Sequence, residues 1–279
     1  MKVWRETLDK LQNMDNKEVL IASHRGKFCS SVMENTSLAF LLAVGQGADM
    51  VEMDLEKTKD GRIVGHHDDT LDRLFHVPGS VADKTLEELK TMPIYNCLWE
   101  PCAEKLETFD EILDSLKDRT ILILDKCWDC WDEVYALLEE KQMTEQTIFK
   151  FNIEDESAYH WAERHGDCMF IPMLGDVSLL ESVAALKEKT GVPALEILPE
   201  KESDPVFQKE TFQWLFDHGI KVWCNSLSLS NRLVYGAGFD DLKSLRYGGD
   251  SGWGRLIDQG TMVIQTDWPY ELKQYLIQR

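Results

Sequence analysis

The sequence predicts an α/β fold, a closed (β/α)8 TIM barrel, and three observations lead there. Short apolar runs alternate with amphipathic stretches, a pattern of strands pairing in parallel through crossover helices. Roughly eight or nine strand-like runs fit one chain of 279 residues, and a barrel of this kind needs about 250. No GxGxxG follows the first strand-like run, the mark a doubly wound open sheet would usually carry.

The elements follow in order. Residues 19–23 read as the first strand. Residues 36–46 read as a helix, with Leu38, Leu41, Leu42 and Gly45 on a 3.6 period and Gly47 as its stop. Strand-like runs at 50–55 and 63–67 precede a helix at 106–116 and an apolar strand at 120–124. Helix and strand then alternate: 132–141 and 147–151, 154–164 and 170–174, 179–189 and 194–198, 205–217 and 221–225. A less regular stretch leads to a strand at 261–265 and a helix at 270–277. Between Leu55 and Ile63 there is no room for a helix, and Thr58-Lys59-Asp60-Gly61 reads as a turn. The arm before it, about 20 Å of extended chain, is expected to return to the barrel base, and the arm after it to climb back. Residues 69–105 carry little strand signal and read as a small lobe inserted in a single domain, 1–279.

Composition narrows the function. Lys and Arg number 30 against 50 Asp and Glu, a net charge of −20. Such a body repels a phosphate backbone, so nucleic acid is not an expected partner. An anionic substrate would need local positive charge, from a metal or from placed Arg and Lys. The first residues lack the apolar core of a secretory signal, and no run approaches the roughly 18 apolar residues of a membrane span. The expectation is a cytoplasmic protein without stable membrane insertion; the oligomeric state is left open. Seven cysteines, an odd number, argue against a disulfide framework. Cys127-Trp128-Asp129-Cys130 has CxxC spacing, but no second pair completes a zinc site, so ordinary thiols are expected.

A barrel places its chemistry at the C-terminal ends of its strands. There stand His24-Arg25-Gly26, Glu52 and Asp54, His66-His67-Asp68, Asp125-Lys126, and Thr266-Asp267. Glu52 and Asp54 are two apart and share a face, so both can meet one hard cation, with Asp125 as a third oxygen ligand. His24 and His67 suit proton transfer near neutral pH. Arg25 and a lysine can meet phosphate oxygens. Together these residue types point to metal-assisted attack on a phosphodiester.

The order and spacing of these residues resemble the glycerophosphodiester phosphodiesterase family. The likeness runs through His24-Arg25-Gly26, Glu34-Asn35-Thr36, Gly47 to Asp54, Thr58 to Val64 and His67 to Arg73. Leu106 to Leu113 is similar to a later helix of the family, and Thr266-Asp267-Trp268-Pro269 to its closing motif. The resemblance implies a divalent cation, Mg²⁺ or Ca²⁺, on Glu52, Asp54 and a third acid. It implies His24 and His67 as acid–base pair and Arg25 on phosphate. The implied reaction cleaves a glycerophosphodiester to an alcohol and glycerol 3-phosphate, by way of a cyclic phosphate if a substrate hydroxyl attacks first. Other readings are a related enzyme of lysophospholipid or sphingolipid head groups, and a non-catalytic binding barrel. The sequence departs from the family at its fourth strand, where Glu-x-Lys is usual and Asp125-Lys126 stands here. Adjacent strand residues face opposite ways, and a bulge would bring both inward. Asp125 is the expected third ligand, with Lys126 or Lys150 on phosphate. Trp223 is expected to line the substrate pocket. Glu196 either faces the same cavity or forms a structural ion pair.

Overall fold

A computed structural model describes residues 3–96, 98–230 and 234–279. Its strands are β1 Leu20–Ser23, β2 Met50–Lys57, β3 Ile63–Gly65, β4 Ile121–Asp125, β5 Thr147–Asn152, β6 Met169–Leu174, β7 Ala194–Ile197, β8 Lys221–Asn225 and β9 Val263–Thr266. All but β3 pair in parallel in one ring, which closes where β9 meets β1. Its helices are α1 Val3–Gln12, α2 Ser37–Gly45, α3 Asp72–Phe75, α4 Leu86–Thr91, α5 Phe109–Leu116, α6 Trp131–Lys141, α7 Glu156–Arg164, α8 Leu180–Lys187, α9 Lys209–Asp217, α10 Asp241–Tyr247, α11 Trp253–Gln259 and α12 Pro269–Gln278. The chain is therefore the (β/α)8 barrel that its alternating pattern predicts. No helix among the described residues is long and apolar enough to cross a membrane.

Side chains along a strand alternate between faces, and this alternation builds the molecule. Outward residues such as Ile21, Val51, Leu122, Phe149, Phe170, Leu195, Val222 and Ile264 pack beneath the helices in the main core. Inward residues Leu20, Ala22, Met50, Ile121, Ile123, Ile148, Ala194, Trp223 and Val263 form a second cluster inside the ring. Followed upward, each inward row changes character. Leu20 and Ala22 lead to His24, Met50 to Glu52 and Asp54, Ile123 to Asp125, Ile148 to Lys150, Ala194 to Glu196, Trp223 to Asn225, and Val263 to Gln265. The base of the barrel supplies burial and the upper mouth collects polar groups.

Three features depart from expectation. Helix α1, which no reading of the N-terminal residues placed, closes the barrel base with Trp4 and Leu11, seven apart on one face. The segment after the Asp60-Gly61 turn does not climb from the base. β2 runs past the mouth, and β3 comes back antiparallel beside it, pairing Leu55 with Gly65. His66 N donates to Asp54 O at 3.1 Å, so the descending arm delivers His67 to the mouth from above. The irregular stretch before β9 holds two helices, α10 and α11. In the 69–105 region, α3 and α4 gather Leu71, Leu74, Phe75, Val81, Leu89 and Ile94 into a separate small core with Met33, Val64 and Leu106. Cys97 lies outside the described residues.

Candidate active site

The turn after β1 begins the site. Arg25 and Gly26 take left-handed backbone conformations, with φ of 53° and 77°. A Cβ on Gly26 would lie 2.6 Å from the Ala39 carbonyl carbon, so only glycine allows α2 to approach. The turn brings the Arg25 N–H to donate to Glu52 Oε2 at 3.0 Å. Thr36 caps α2, accepting from Ala39 N at 3.3 Å. Asn35 before it clamps Asp54: its Nδ2 donates to Asp54 Oδ2 at 3.0 Å, and Asp54 N donates to its Oδ1 at 3.0 Å.

Glu52, Asp54 and Asp125 offer ligand atoms within 4.8 Å of one another. The β2–β4 register sets Asp54 beside Asp125. Burial first, then the Asp54 and Asp125 charges, push the Glu52 carboxyl well above its ordinary range. Three convergent carboxylates that repel one another in a dry place are a hard-oxygen donor set, and a divalent cation fits it. Asp125 and Lys126 both line the cavity, though not through a bulge. Lys126 takes a left-handed conformation, φ 54°, and its N–H donates to Asp125 Oδ1 at 2.8 Å.

Both predicted histidines reach the same cavity of about 210 Å³, lined also by Arg25, the three acids, Lys126, Lys150 and Glu196. His24 Nδ1 lies 2.8 Å from Asp267 Oδ1, and His67 Nδ1 lies 2.7 Å from Asp68 Oδ1. A carboxylate only accepts, so each Nδ1 carries the proton and each Nε2 is left for exchange. Asp267 is held in turn: its N–H donates to the buried Asp241 at 3.0 Å. Asp241 also accepts from Ser226, Trp253 and Thr266 at 2.6, 2.7 and 2.8 Å. Burial outweighs these bonds and pushes its carboxyl up to about 7.

The cations are less free than residue types alone suggest. Arg25 is braced by Glu34 at 3.0 Å and Asp54 at 3.2 Å. Lys150, 3% exposed, lies 3.0 Å from Asp125 Oδ2 and 2.8 Å from Glu196 Oε2. Burial works against its charge, but Asp125, Glu196 and Glu52 outweigh it and raise its pKa. Glu196 thus both faces the cavity and forms an ion pair. Trp223 does not line the pocket. It is wholly buried one layer below, where its Nε1 donates to Asn225 at 3.3 Å, because the inward row of β8 reaches the mouth only at Asn225. Cys127 and Cys130 are free thiols that burial pushes up, Cys130 to about 12, far from the reactive range of a redox pair.

Glu34, Asn35, Asp68 and Asp267 sit inside the motifs quoted above, but spacing alone assigned them nothing. Glu34 binds Arg73 through two contacts of 2.7 Å as well as Arg25. Burial opposes its charge, yet the Arg73 hydrogen bonds and the two guanidinium charges hold its carboxyl at about 2. A carboxyl lowered this way contributes stability above its unfolded pKa, lost as pH falls through the folded one. Glu34→Gln is expected to cost about 3 kcal/mol at pH 7. In urea titrations the gap should shrink as pH falls from about 5 towards 2. A gap independent of pH would break this assignment.

Fold and site place the chain among (β/α)8 barrels with an acidic triad and paired imidazoles at the C-terminal mouth. Residues 24–167 match the glycerophosphoryl diester phosphodiesterase family, and residues 169–276 match a domain of unknown function. The second match begins at β6, so the two divide one continuous ring. A glycerophosphodiester phosphodiesterase of Caldanaerobacter subterraneus is 38% identical over 107 residues, 38% of this chain and 44% of that protein. A lysophospholipase D of Rattus norvegicus is 43% identical over 272 residues, 91% of this chain and 85% of that one. A crystal structure of a glycerophosphoryl diester phosphodiesterase from Parabacteroides distasonis aligns with a TM-score of 0.79 at 21% identity, covering 100% of this chain and 92% of that one, a likeness of fold. The chain belongs to the glycerophosphoryl diester phosphodiesterase family. It spans about half the length of the bacterial relatives it matches.

Proposed function

We propose that the chain is a divalent-cation-dependent phosphodiesterase that hydrolyses glycerophosphodiesters to glycerol 3-phosphate and an alcohol. The observation that carries this is the joint placement of two imidazoles, each with a carboxylate on Nδ1, in one cavity with three convergent acids. Glu52, Asp54 and Asp125 would hold the cation, Mg²⁺ or Ca²⁺. A bound cation supplies Lewis-acid stabilisation of the charge that builds on the phosphoryl oxygens.

The chain's own groups do the rest. One imidazole accepts at Nε2 the proton of the attacking hydroxyl. The other, protonated at Nε2, gives its proton to the departing alcohol oxygen. If a glycerol hydroxyl attacks, the product is a cyclic phosphate. The two imidazoles then exchange roles as water adds to phosphorus and opens the ring, so protons balance over the cycle. Asp68 and Asp267 hold the rings by their Nδ1 atoms and so aim each Nε2. Arg25 and Lys126 set positive charge beside the phosphate. Lys150 steadies Asp125 by occupying its second oxygen. This local charge lets a chain of −20 accept an anion.

The test is incubation of the folded protein with glycerophosphocholine, glycerophosphoethanolamine and glycerophosphoinositol, with Mg²⁺ or Ca²⁺. Release of glycerol phosphate that stops on chelation is expected. No release from any of the three under either metal contradicts the assignment.

A further inference from the structure

Resting on the phosphodiesterase reading above, we propose that the site selects glycerophosphodiesters whose second alcohol is an uncharged aliphatic chain, seated on an apolar wall across the cavity from the acids. The wall follows from strand parity. Above the polar layer, the inward rows of β6, β7 and β8 turn to carbon: Ile171 leads to Met173, Glu196 to Leu198, and Asn225 to Leu227 and Leu229. Those four upper residues line the cavity, with Trp128 and Tyr235 beside them. Trp128 is fixed by its Nε1 bond to Lys150 O at 3.0 Å, yet keeps 41% of its surface exposed. Leu229, also 41% exposed, carries the wall out to solvent.

The chemistry of this wall ranks two kinds of alcohol below an aliphatic one, so the choline, ethanolamine and inositol esters are expected to turn over more slowly than the alkyl esters. A hydroxyl-rich one would leave its water hydrogen bonds for carbon. A cationic one meets no uncommitted carboxylate, only the rings of Trp128 and Tyr235. Glu52, Asp54 and Asp125 form the cation set. Glu196 is taken by Lys150 at 2.8 Å and by Asn225 at 2.7 Å. Arg25, Lys126 and Lys150 add positive charge in the same cavity. An aliphatic chain loses nothing there, and each buried methylene is expected to raise kcat/KM about threefold. A cavity of about 210 Å³ must also hold phosphate and glycerol, so the rise should level off once the chain passes Leu229.

The experiment measures kcat/KM, at saturating Mg²⁺, for the methyl, ethyl, propyl, butyl and hexyl esters of glycerol phosphate. Leaving-group acidity hardly changes along this series, so the slope reports contact with the wall. A butyl-to-methyl ratio of roughly 30 is expected. In Leu198→Ser and Leu229→Ser the ratio should fall several-fold, and the exposed Leu229 is a position where the fold tolerates the change. The 3,3-dimethylbutyl ester, the neutral isostere of the choline ester, should be the better substrate of that pair. A flat or falling series, or a preference for choline over its isostere, overturns the proposal while leaving the phosphodiesterase reading intact. No turnover of any ester overturns that reading and the proposal with it.

Discussion

His24→Ala and His67→Ala are each expected to lower kcat/KM by about 10²–10⁴ with the fold intact. The magnitude follows from proton transfer in the transition state, which no neighbouring group can take over. The carboxylates nearest the two rings are committed to their Nδ1 atoms at 2.8 and 2.7 Å. The two losses should differ in kind. Removing the group that protonates the departing oxygen matters most for poor leaving groups. Removing the base slows attack whatever the leaving group is. Comparing each variant on an alkyl ester and a nitrophenyl ester therefore assigns the roles. Circular dichroism melts confirm folding. Rates within a few-fold of the parent in either variant would remove that histidine from the reaction.

Glu52→Gln and Asp54→Asn are expected to abolish measurable cation binding and, with it, nearly all turnover. The prediction gains force from opposite signs in two measurements. Burial and the neighbouring acids press the Glu52 carboxyl towards its neutral form, so the negative charge costs stability when no cation is present. Glu52→Gln keeps an oxygen able to accept from Arg25 N and removes that charge. In chelator, its melting temperature should equal or exceed that of the parent. In calorimetric titrations with Mg²⁺ or Mn²⁺, its binding should vanish. A variant that loses stability in chelator yet binds the cation normally would mark Glu52 as structural.

Much of this site was legible in the sequence because a closed barrel converts residue parity into position. Once the strand runs were found, Glu52 and Asp54 had to share a face, and His24 had to stand at the end of its row. What the sequence hid were places where local backbone overrides parity. Asp125 and Lys126 look opposed on a regular strand, and only the left-handed turn at Lys126 brings both to the cavity. His67 arrives on a descending hairpin arm, since pairing of β3 with β2 is a long-range choice that a short apolar run does not encode. Trp223 misled because its residue type suits a pocket while its register places it a layer below. Asp241 gave no signal at all: a lone acid at a helix start reads as a solvated cap, and only the fold shows it buried against Asp267.

The most direct test of the central claim is a crystal structure of the protein soaked in Mn²⁺, with anomalous scattering recorded for the metal. The account predicts one strong peak about 2.2 Å from carboxylate oxygens of Glu52, Asp54 and Asp125, within the cavity that His24 and His67 line. A peak elsewhere on the molecule, or none at saturating metal, would contradict it.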